Sequence, residues 1–98
     1  MDKANPNERL QIWVTGRVQG VGFRAFVAQA ANNLGLTGWV RNVGYDQVEA
    51  VAEGQREDLE EFAAIVRAGP RASRVDESRI EWLSASNEFI DFTVRSSR

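Results

Sequence analysis

The 98-residue sequence contains no cysteine, no histidine and a single lysine, Lys3. These absences exclude disulfides, thiol nucleophiles, Ser-His-Asp and Cys-His arrangements and the usual zinc sites. One lysine also leaves little scope for Schiff-base chemistry. Any catalyst in this chain must therefore use arginine, acidic, amide or hydroxyl side chains, or backbone amides.

Long apolar runs are missing as well. No stretch approaches the roughly 20 apolar residues that a membrane-spanning helix needs. The first ten residues, MDKANPNERL, lack the apolar segment that follows the basic start of a secretory signal. We therefore expect a cytoplasmic protein without membrane contacts. The net charge of −2 argues against a nucleic-acid partner, because domains that wrap nucleic acid are usually basic.

The composition is typical of one globular domain, with 43% hydrophobic and 27% charged residues. The length suits one modest core, and no repeat, linker or low-complexity tract divides the chain. We expect residues 1–98 to form a single domain that acts as a monomer. Residues 1–8 are polar and include Pro6, so we expect them to be frayed.

Hydrophobic periodicity predicts both helices and strands in this chain. Apolar residues alternate from Leu10 to Val14, which is typical of a strand, whereas residues 23–34 show one apolar helical face that Gly35 ends. Further strands are predicted at residues 36–43, 47–53 and 73–83, a second helix between Gly54-Gln55 and Gly69-Pro70, and a short last strand at Ile90, Phe92 and Val94. The alternation slips near Ser78-Arg79, which suggests a bulge there.

This order of elements predicts an α+β fold of the ferredoxin-like βαββαβ type, with a short extra C-terminal strand. In such a fold an antiparallel sheet carries two helices on one face. Because many unrelated functions use this arrangement, the fold alone assigns none of them.

The segment from Gly16 to Gly22 has three glycines in seven residues and leads directly into the first helix. We interpret it as a loop. Glycines let backbone N–H groups converge on one point, and the first N–H groups of a helix lack partners and carry the positive end of its dipole. The segment could thus bind an anion, or it could be a tight turn only. It matches neither a Walker loop nor the dinucleotide-binding fingerprint.

Two polar residues could complete such a site. Arg24 lies in the first helical turn, off the apolar face, so its guanidinium could bind two oxygens of one phosphate. Asn42 ends the second predicted strand, just before a turn. Its side chain could cap local backbone, or its amide could hold a water molecule in a fixed orientation.

GRVQGVGFR at 16–24, followed by LGLTGWVRN at 34–42, closely resembles the acylphosphatase family. The resemblance continues through VEAVAEG at 48–54 and AGPRASRV at 68–75, and covers roughly residues 10–95.

The resemblance implies an enzyme that hydrolyses the carboxyl–phosphate bond of small acyl phosphates, without metal or cofactor. It implies that Arg24 binds the phosphate, that Asn42 orients the attacking water, and that Gly16 begins a loop whose amides cradle the phosphate, namely those of Gln19, Gly20, Val21, Gly22 and Phe23. The alternatives are a non-catalytic regulatory module of the same fold that binds a small anion, and an acylphosphatase-like domain that handles carbamoyl phosphate within a larger maturation enzyme.

The sequence departs from the family pattern in three places. Tyr45-Asp46 stands where the family often has Asp-Gly, although Asp46 could tolerate a left-handed backbone. Val27 occupies a position where some members carry threonine, and Val43 follows the asparagine. We expect these differences to affect the turn and the substrate preference rather than the reaction.

Overall fold

The computed structural model describes residues 7–98 and places five strands and two helices along them. In chain order the elements are β1 Glu8–Arg17, α1 Phe23–Asn33, β2 Thr37–Val43, β3 Gln47–Gly54, α2 Arg56–Ala68, β4 Arg74–Ser84 and β5 Phe92–Val94.

The five strands form one sheet in the order β4-β1-β3-β2-β5. β1 runs antiparallel to β3 and β4, and β2 runs antiparallel to β3. β5 is parallel to β2 and lies at the edge of the sheet opposite β4. The ferredoxin-like α+β architecture is confirmed, and the sheet is mixed rather than wholly antiparallel.

Both helices pack on one face of the sheet and enclose the core. The alternation predicted for β1 is confirmed, since Leu10, Ile12 and Val14 are fully buried beneath the helices. The apolar stripes of the helices meet them with Phe23, Val27, Ala30 and Ala31 of α1 and Leu59, Phe62, Ala63 and Val66 of α2. Phe23 and Arg24, which the resemblance assigns to a phosphate site, therefore lie on the helix that fills part of the core.

The open face of the sheet carries two tryptophans covered by arginines. The guanidinium of Arg79 lies 4.0 Å from the ring centroid of Trp13, and those of Arg41 and Arg95 lie 4.7 and 4.8 Å from Trp39. Such contacts are cation–π interactions. These tryptophans pack against charged side chains outside the core. Neither helix within residues 7–98 is long and apolar enough to span a membrane.

The first strand is longer than the sequence predicts at both ends. Gly16 and Arg17 still pair with β4, so the connection to α1 shortens to residues 18–22. Fraying was expected for residues 1–8. Residues 1–6 of this segment lie outside the described residues. Glu8 is already part of β1, where it lies opposite Gly54 and Ser84.

A bulge does occur in the pairing of β1 with β4, but not at Ser78-Arg79. The register shifts between Thr15 and Gly16, opposite Glu77 and Val75, so the extra residue is Asp76. A Cβ on Gly16 would stand 2.3 Å from the carbonyl oxygen of Arg74 and 2.9 Å from the nitrogen of Asp76. The two backbones therefore approach closely at the bulge only because residue 16 is glycine. Ile90, predicted to open the last strand, lies before β5 and is exposed.

Glu53 is a buried carboxylate that joins β3 to β1 and to the β4–β5 connection. It accepts hydrogen bonds from Arg9 Nε at 2.7 Å, from the N–H groups of Ser86 and Asn87 at 2.8 and 2.9 Å, and from the Ser86 hydroxyl at 3.1 Å. Burial alone would raise the pKa of Glu53, but these hydrogen bonds outweigh it and hold that pKa below its ordinary value.

We expect Glu53→Gln to lower the free energy of unfolding at pH 7 by about 2 kcal/mol, because hydrogen bonds to a charged group are lost. A lowered pKa stabilises the fold above the carboxyl's unfolded pKa of about 4.3, and this contribution disappears as pH falls through the folded value. The difference between wild type and variant in urea denaturation should thus shrink below about pH 4. Glu81→Gln, which breaks an exposed pair with Arg79, is the control and should change little. A Glu53→Gln effect that is independent of pH would contradict the assignment.

Candidate active site

The loop of residues 18–22 takes its shape from two left-handed glycines. Gly20 and Gly22 have φ angles of 74° and 75°. A Cβ at either position would meet no atom within 4 Å, so the backbone conformation, not lack of space, requires glycine there. Gly22 is the N-cap residue of α1, and its carbonyl accepts the first helical hydrogen bond from Phe26.

Residues 7–98 supply no partner for the N-terminus of α1. None of their side chains caps it, and the first turn of the helix contains no acidic residue. Within residues 7–98, none of the backbone N–H groups of residues 19–24 donates a hydrogen bond to a protein acceptor. These groups, together with the positive end of the helix dipole, suit an external anion.

Arg24 and Asn42 line one pocket with this loop. The pocket has a volume of about 280 Å³ and is bounded by Val18, Gly20, Gly22, Phe23, Arg24, Ala25, Asn42 and Val94. It thus collects residues from the loop, from α1, from the end of β2 and from β5. Of the eight residues that the sequence analysis assigned to the site, five line this pocket, namely Gly20, Gly22, Phe23, Arg24 and Asn42. A wider cleft beside Trp13 and Arg79 lies on the open face, and no residue of the loop lines it.

The guanidinium of Arg24 is held at one nitrogen only. Its Nη1 donates to the carbonyl oxygen of Arg95 at 3.0 Å. No carboxylate of the described chain pairs with it. A guanidinium has five N–H donors, so most of them, and the full positive charge, are available to a ligand in the pocket.

Asn42 is fixed through its backbone rather than its side chain. It lies opposite Val48 of β3, and its carbonyl oxygen accepts from the N–H of Arg98 at 2.8 Å. In the part of the chain that the structure describes, its side-chain amide makes no hydrogen bond. The capping role that the sequence left open is therefore absent among these residues, and the amide can both donate to and accept from a molecule in the pocket.

Three other nominated residues lie outside the pocket. Gly16 belongs to β1, where its N–H donates to the carbonyl of Asp46 at 2.9 Å. Val21 packs against the core, and the side chain of Gln19 turns toward the β2–β3 turn. Sequence reasoning considered only the backbone amide of Gln19 and missed this contact, because its acceptors are main-chain carbonyls that leave no pattern in the sequence.

The positions that depart from the family pattern do not line the pocket either. Val27 is fully buried in the core. In the β2–β3 turn Gly44, not Asp46, takes the left-handed backbone, with a φ of 60°. Tyr45 is 88% exposed at the tip of the turn. The change from Asp-Gly to Tyr-Asp is thus accommodated without strain at Asp46.

Among residues 7–98 no group of three or more acidic side chains is arranged to hold a metal ion. The expectation of a reaction without metal or cofactor remains a prediction of the sequence.

The family profile and the curated relatives identify one family. The acylphosphatase family profile matches residues 10–94. A curated acylphosphatase from Koribacter versatilis (strain Ellin345) is 45% identical over 91 residues, covering 93% of this chain and 83% of that protein. The crystal structure of acylphosphatase from Bacillus subtilis aligns with a TM-score of 0.86 at 35% identity, covering 90% of this chain and 98% of that one. Full-length HypF in the phosphate- and nucleotide-bound form aligns with a TM-score of 0.87 at 30% identity, covering 99% of this chain but 13% of that one.

Gly20→Ala and Gly35→Ala form a matched pair, because both glycines have a left-handed φ and neither Cβ would contact another atom. We expect each to lower the free energy of unfolding by about 1 kcal/mol through backbone strain. Only Gly20→Ala, which narrows the approach to the loop amides, should weaken binding of inorganic phosphate, by about tenfold for one lost charge-assisted hydrogen bond. Thermal unfolding and calorimetric titration measure the two effects. Equal phosphate affinity in both variants would show that the loop does not contact the anion.

Proposed function

The chain belongs to the acylphosphatase family, and we propose that the pocket between the 18–22 loop, α1 and the end of β2 is its active site. It is a hydrolase that cleaves the carboxyl–phosphate bond of acyl phosphates to a carboxylate and inorganic phosphate. One observation carries the assignment of the site: Arg24 and Asn42 line the same pocket as an uncapped helix N-terminus.

The phosphoryl group binds to the loop and to Arg24. Support comes from the unpartnered N–H groups of residues 19–24 and from the guanidinium, which has no carboxylate partner within residues 7–98. Fixed amides and a planar cation can stabilise the charge on the equatorial oxygens of the phosphorus as it transfers. Because these donors are already in place, little reorganisation accompanies the reaction.

Asn42 orients the attacking water. Its amide lines the pocket without a hydrogen bond to any described residue, so it can donate to and accept from one water molecule. The water oxygen attacks phosphorus in line with the bond to the carboxylate, and that phosphorus–oxygen bond breaks with its electron pair on the carboxylate. An amide is a weak base, so the proton of the water passes to a phosphoryl oxygen.

This reaction suits a chain without histidine or cysteine. An alkoxide leaving group usually needs an acid or a metal ion, whereas the carboxylate expelled here has a conjugate acid with a pKa of about 4. It can leave without a proton. Positioning and charge stabilisation then remain as the tasks of the protein, and backbone amides, one arginine and one asparagine can perform them.

We further propose that the chain acts as a monomer in the cytoplasm and does not bind nucleic acid. The net charge of −2 argues against nucleic-acid binding. Light scattering of the purified protein measures the oligomeric state.

The assay that tests the function is release of inorganic phosphate from acetyl phosphate or benzoyl phosphate by the purified protein. A non-catalytic anion-binding module would bind phosphate without turnover. Such a module would have no need of the Asn42 amide in its pocket.

Arg24→Ala should weaken phosphate binding and lower the rate by on the order of 10²-fold, because one preorganised donor and its charge are lost. Asn42→Ala should retain phosphate affinity while turnover falls by a similar factor, since only the water loses its partner. Arg67→Ala and Asn33→Ala are the matched controls, because both side chains are exposed and lie outside the pocket. Both variants should keep the wild-type phosphate affinity and turnover. Near-normal turnover of benzoyl phosphate by Asn42→Ala would exclude the water-positioning role.

Turnover should be undiminished in excess EDTA, because the carboxylate leaves without a Lewis acid. The measurement is the rate of benzoyl phosphate hydrolysis after dialysis against the chelator, with and without added magnesium. Activity that disappears in EDTA and returns with magnesium would refute the metal-independent mechanism.

A further inference from the structure

The side-chain amide of Gln19 lies against three backbone carbonyls of the β2–β3 turn. Its Nε2 is 3.3 Å from the carbonyl oxygen of Val43, 3.1 Å from that of Gly44 and 3.0 Å from that of Gln47. One NH₂ group has two hydrogens, so these three acceptors share them. The side chain is half-buried, and the carbonyls come from both ends of the turn.

This contact joins the two halves of the active site. Gln19 belongs to the loop that supplies the phosphate-binding amides, whereas Val43 and Gly44 directly follow Asn42. Within residues 7–98 it is the only side-chain hydrogen bond between the 18–22 loop and the β2–β3 turn. Two other hydrogen bonds lie at the end of β1: the Gly16 N–H donates to the carbonyl of Asp46, and Gln47 Nε2 donates to the Thr15 hydroxyl oxygen.

The separation of these two halves determines the geometry of attack. In the proposed function the loop holds phosphorus and Asn42 holds the water, so no bond within the substrate sets the distance between them. Reacting atoms must approach to about 3–3.5 Å in alignment, and a misplacement of about 1 Å can reduce the rate by about 10²-fold. A contact that holds the loop against the turn therefore acts on the rate of the chemical step.

We propose that the Gln19 side chain is a positioning residue that sets the distance between the bound phosphate and the Asn42-held water. The inference rests on the proposed function. Gln19 acts through the turn and not on the substrate, because its amide hydrogens are directed to the carbonyls of Val43, Gly44 and Gln47.

The chemistry of the contact requires a neutral donor of this length. Methionine has the same reach but no hydrogens to donate, so it would leave the carbonyls without that partner. Glutamate has the same shape, but its carboxylate would face three carbonyl oxygens, and like partial charges repel. Gln19→Met therefore removes the hydrogen bonds, whereas Gln19→Glu replaces them with repulsion.

Gln19→Met should lower kcat for benzoyl phosphate by about tenfold, between no effect and the full effect of a 1 Å displacement. The dissociation constant for inorganic phosphate should change less than about threefold, because the loop amides and Arg24 remain. Gln11→Met is the matched control. It removes the amide of an equivalent residue, which donates to Glu49 at 2.7 Å in the middle of the sheet. Its thermal midpoint should fall while kcat stays at the wild-type value.

Gln19→Glu should reduce kcat below that of Gln19→Met at neutral pH. Thermal unfolding of each variant confirms that it is folded at the assay temperature. This order of rates identifies hydrogen bonding as the cause, because the exchange of glutamine for glutamate conserves volume.

The outcomes separate this inference from the proposed function. If wild type releases no phosphate from benzoyl phosphate, the function itself fails. If wild type is active but Gln19→Met keeps kcat within twofold, or loses phosphate affinity as much as kcat, the positioning role is wrong and the function stands. A Gln19→Glu variant as active as wild type would likewise overturn the role.

Discussion

The pocket depends above all on the N-terminus of α1, to which residues 7–98 contribute no capping side chain. Most helices satisfy their first N–H groups with a capping side chain or offset the dipole with acidic residues, as Glu57 and Asp58 do in α2. α1 has neither. Leaving these donors unsatisfied is unfavourable in isolation, so the arrangement is consistent with a site in which an anion completes them. Glycines at 20 and 22 shape the loop in front of the helix, and Arg24 adds a cation at the same end.

The sheet places Asn42, near the end of β2, in the same pocket as this helix terminus. β2 lies between β3 and β5, and after β5 the chain continues beside β2 as far as Arg98. Backbone hydrogen bonds therefore hold Asn42 from the C-terminal side, while Gly16 and Gln19 hold the turn that follows it. The pocket thus lies where the first helix begins and the second strand ends, and both are fixed by the core they share.

The sequence predicted the elements better than their pairing. Period-two and helical patterns located the strands and helices, and the resemblance placed Gly20, Gly22, Phe23, Arg24 and Asn42 at one site, where the structure brings them together. What it did not predict depends on partners distant in the chain. β1 continues through Gly16 because β4 pairs with it there, and the bulge lies at Asp76 because Gly16 admits the β4 backbone. The direction of β5 depends on its pairing with β2 at the edge opposite β4. The acceptors of Gln19 are carbonyls, which no residue type reveals.

The use of main-chain acceptors explains why the turn after Asn42 tolerates an unusual sequence. The contacts that position it are made to its backbone: the carbonyls of Val43, Gly44 and Gln47 accept from Gln19, and that of Asp46 accepts from Gly16. Any residue supplies a carbonyl, so the side chains at the tip can vary. Tyr45 is almost fully exposed, and Gly44 takes the left-handed conformation that a glycine later in the turn would otherwise provide. A site built from main-chain donors on one side and main-chain acceptors on the other can therefore retain its geometry with few fixed side chains. In the proposed function, that geometry serves a reaction with a good leaving group together with the charge of Arg24 and the amide of Asn42, without histidine or cysteine.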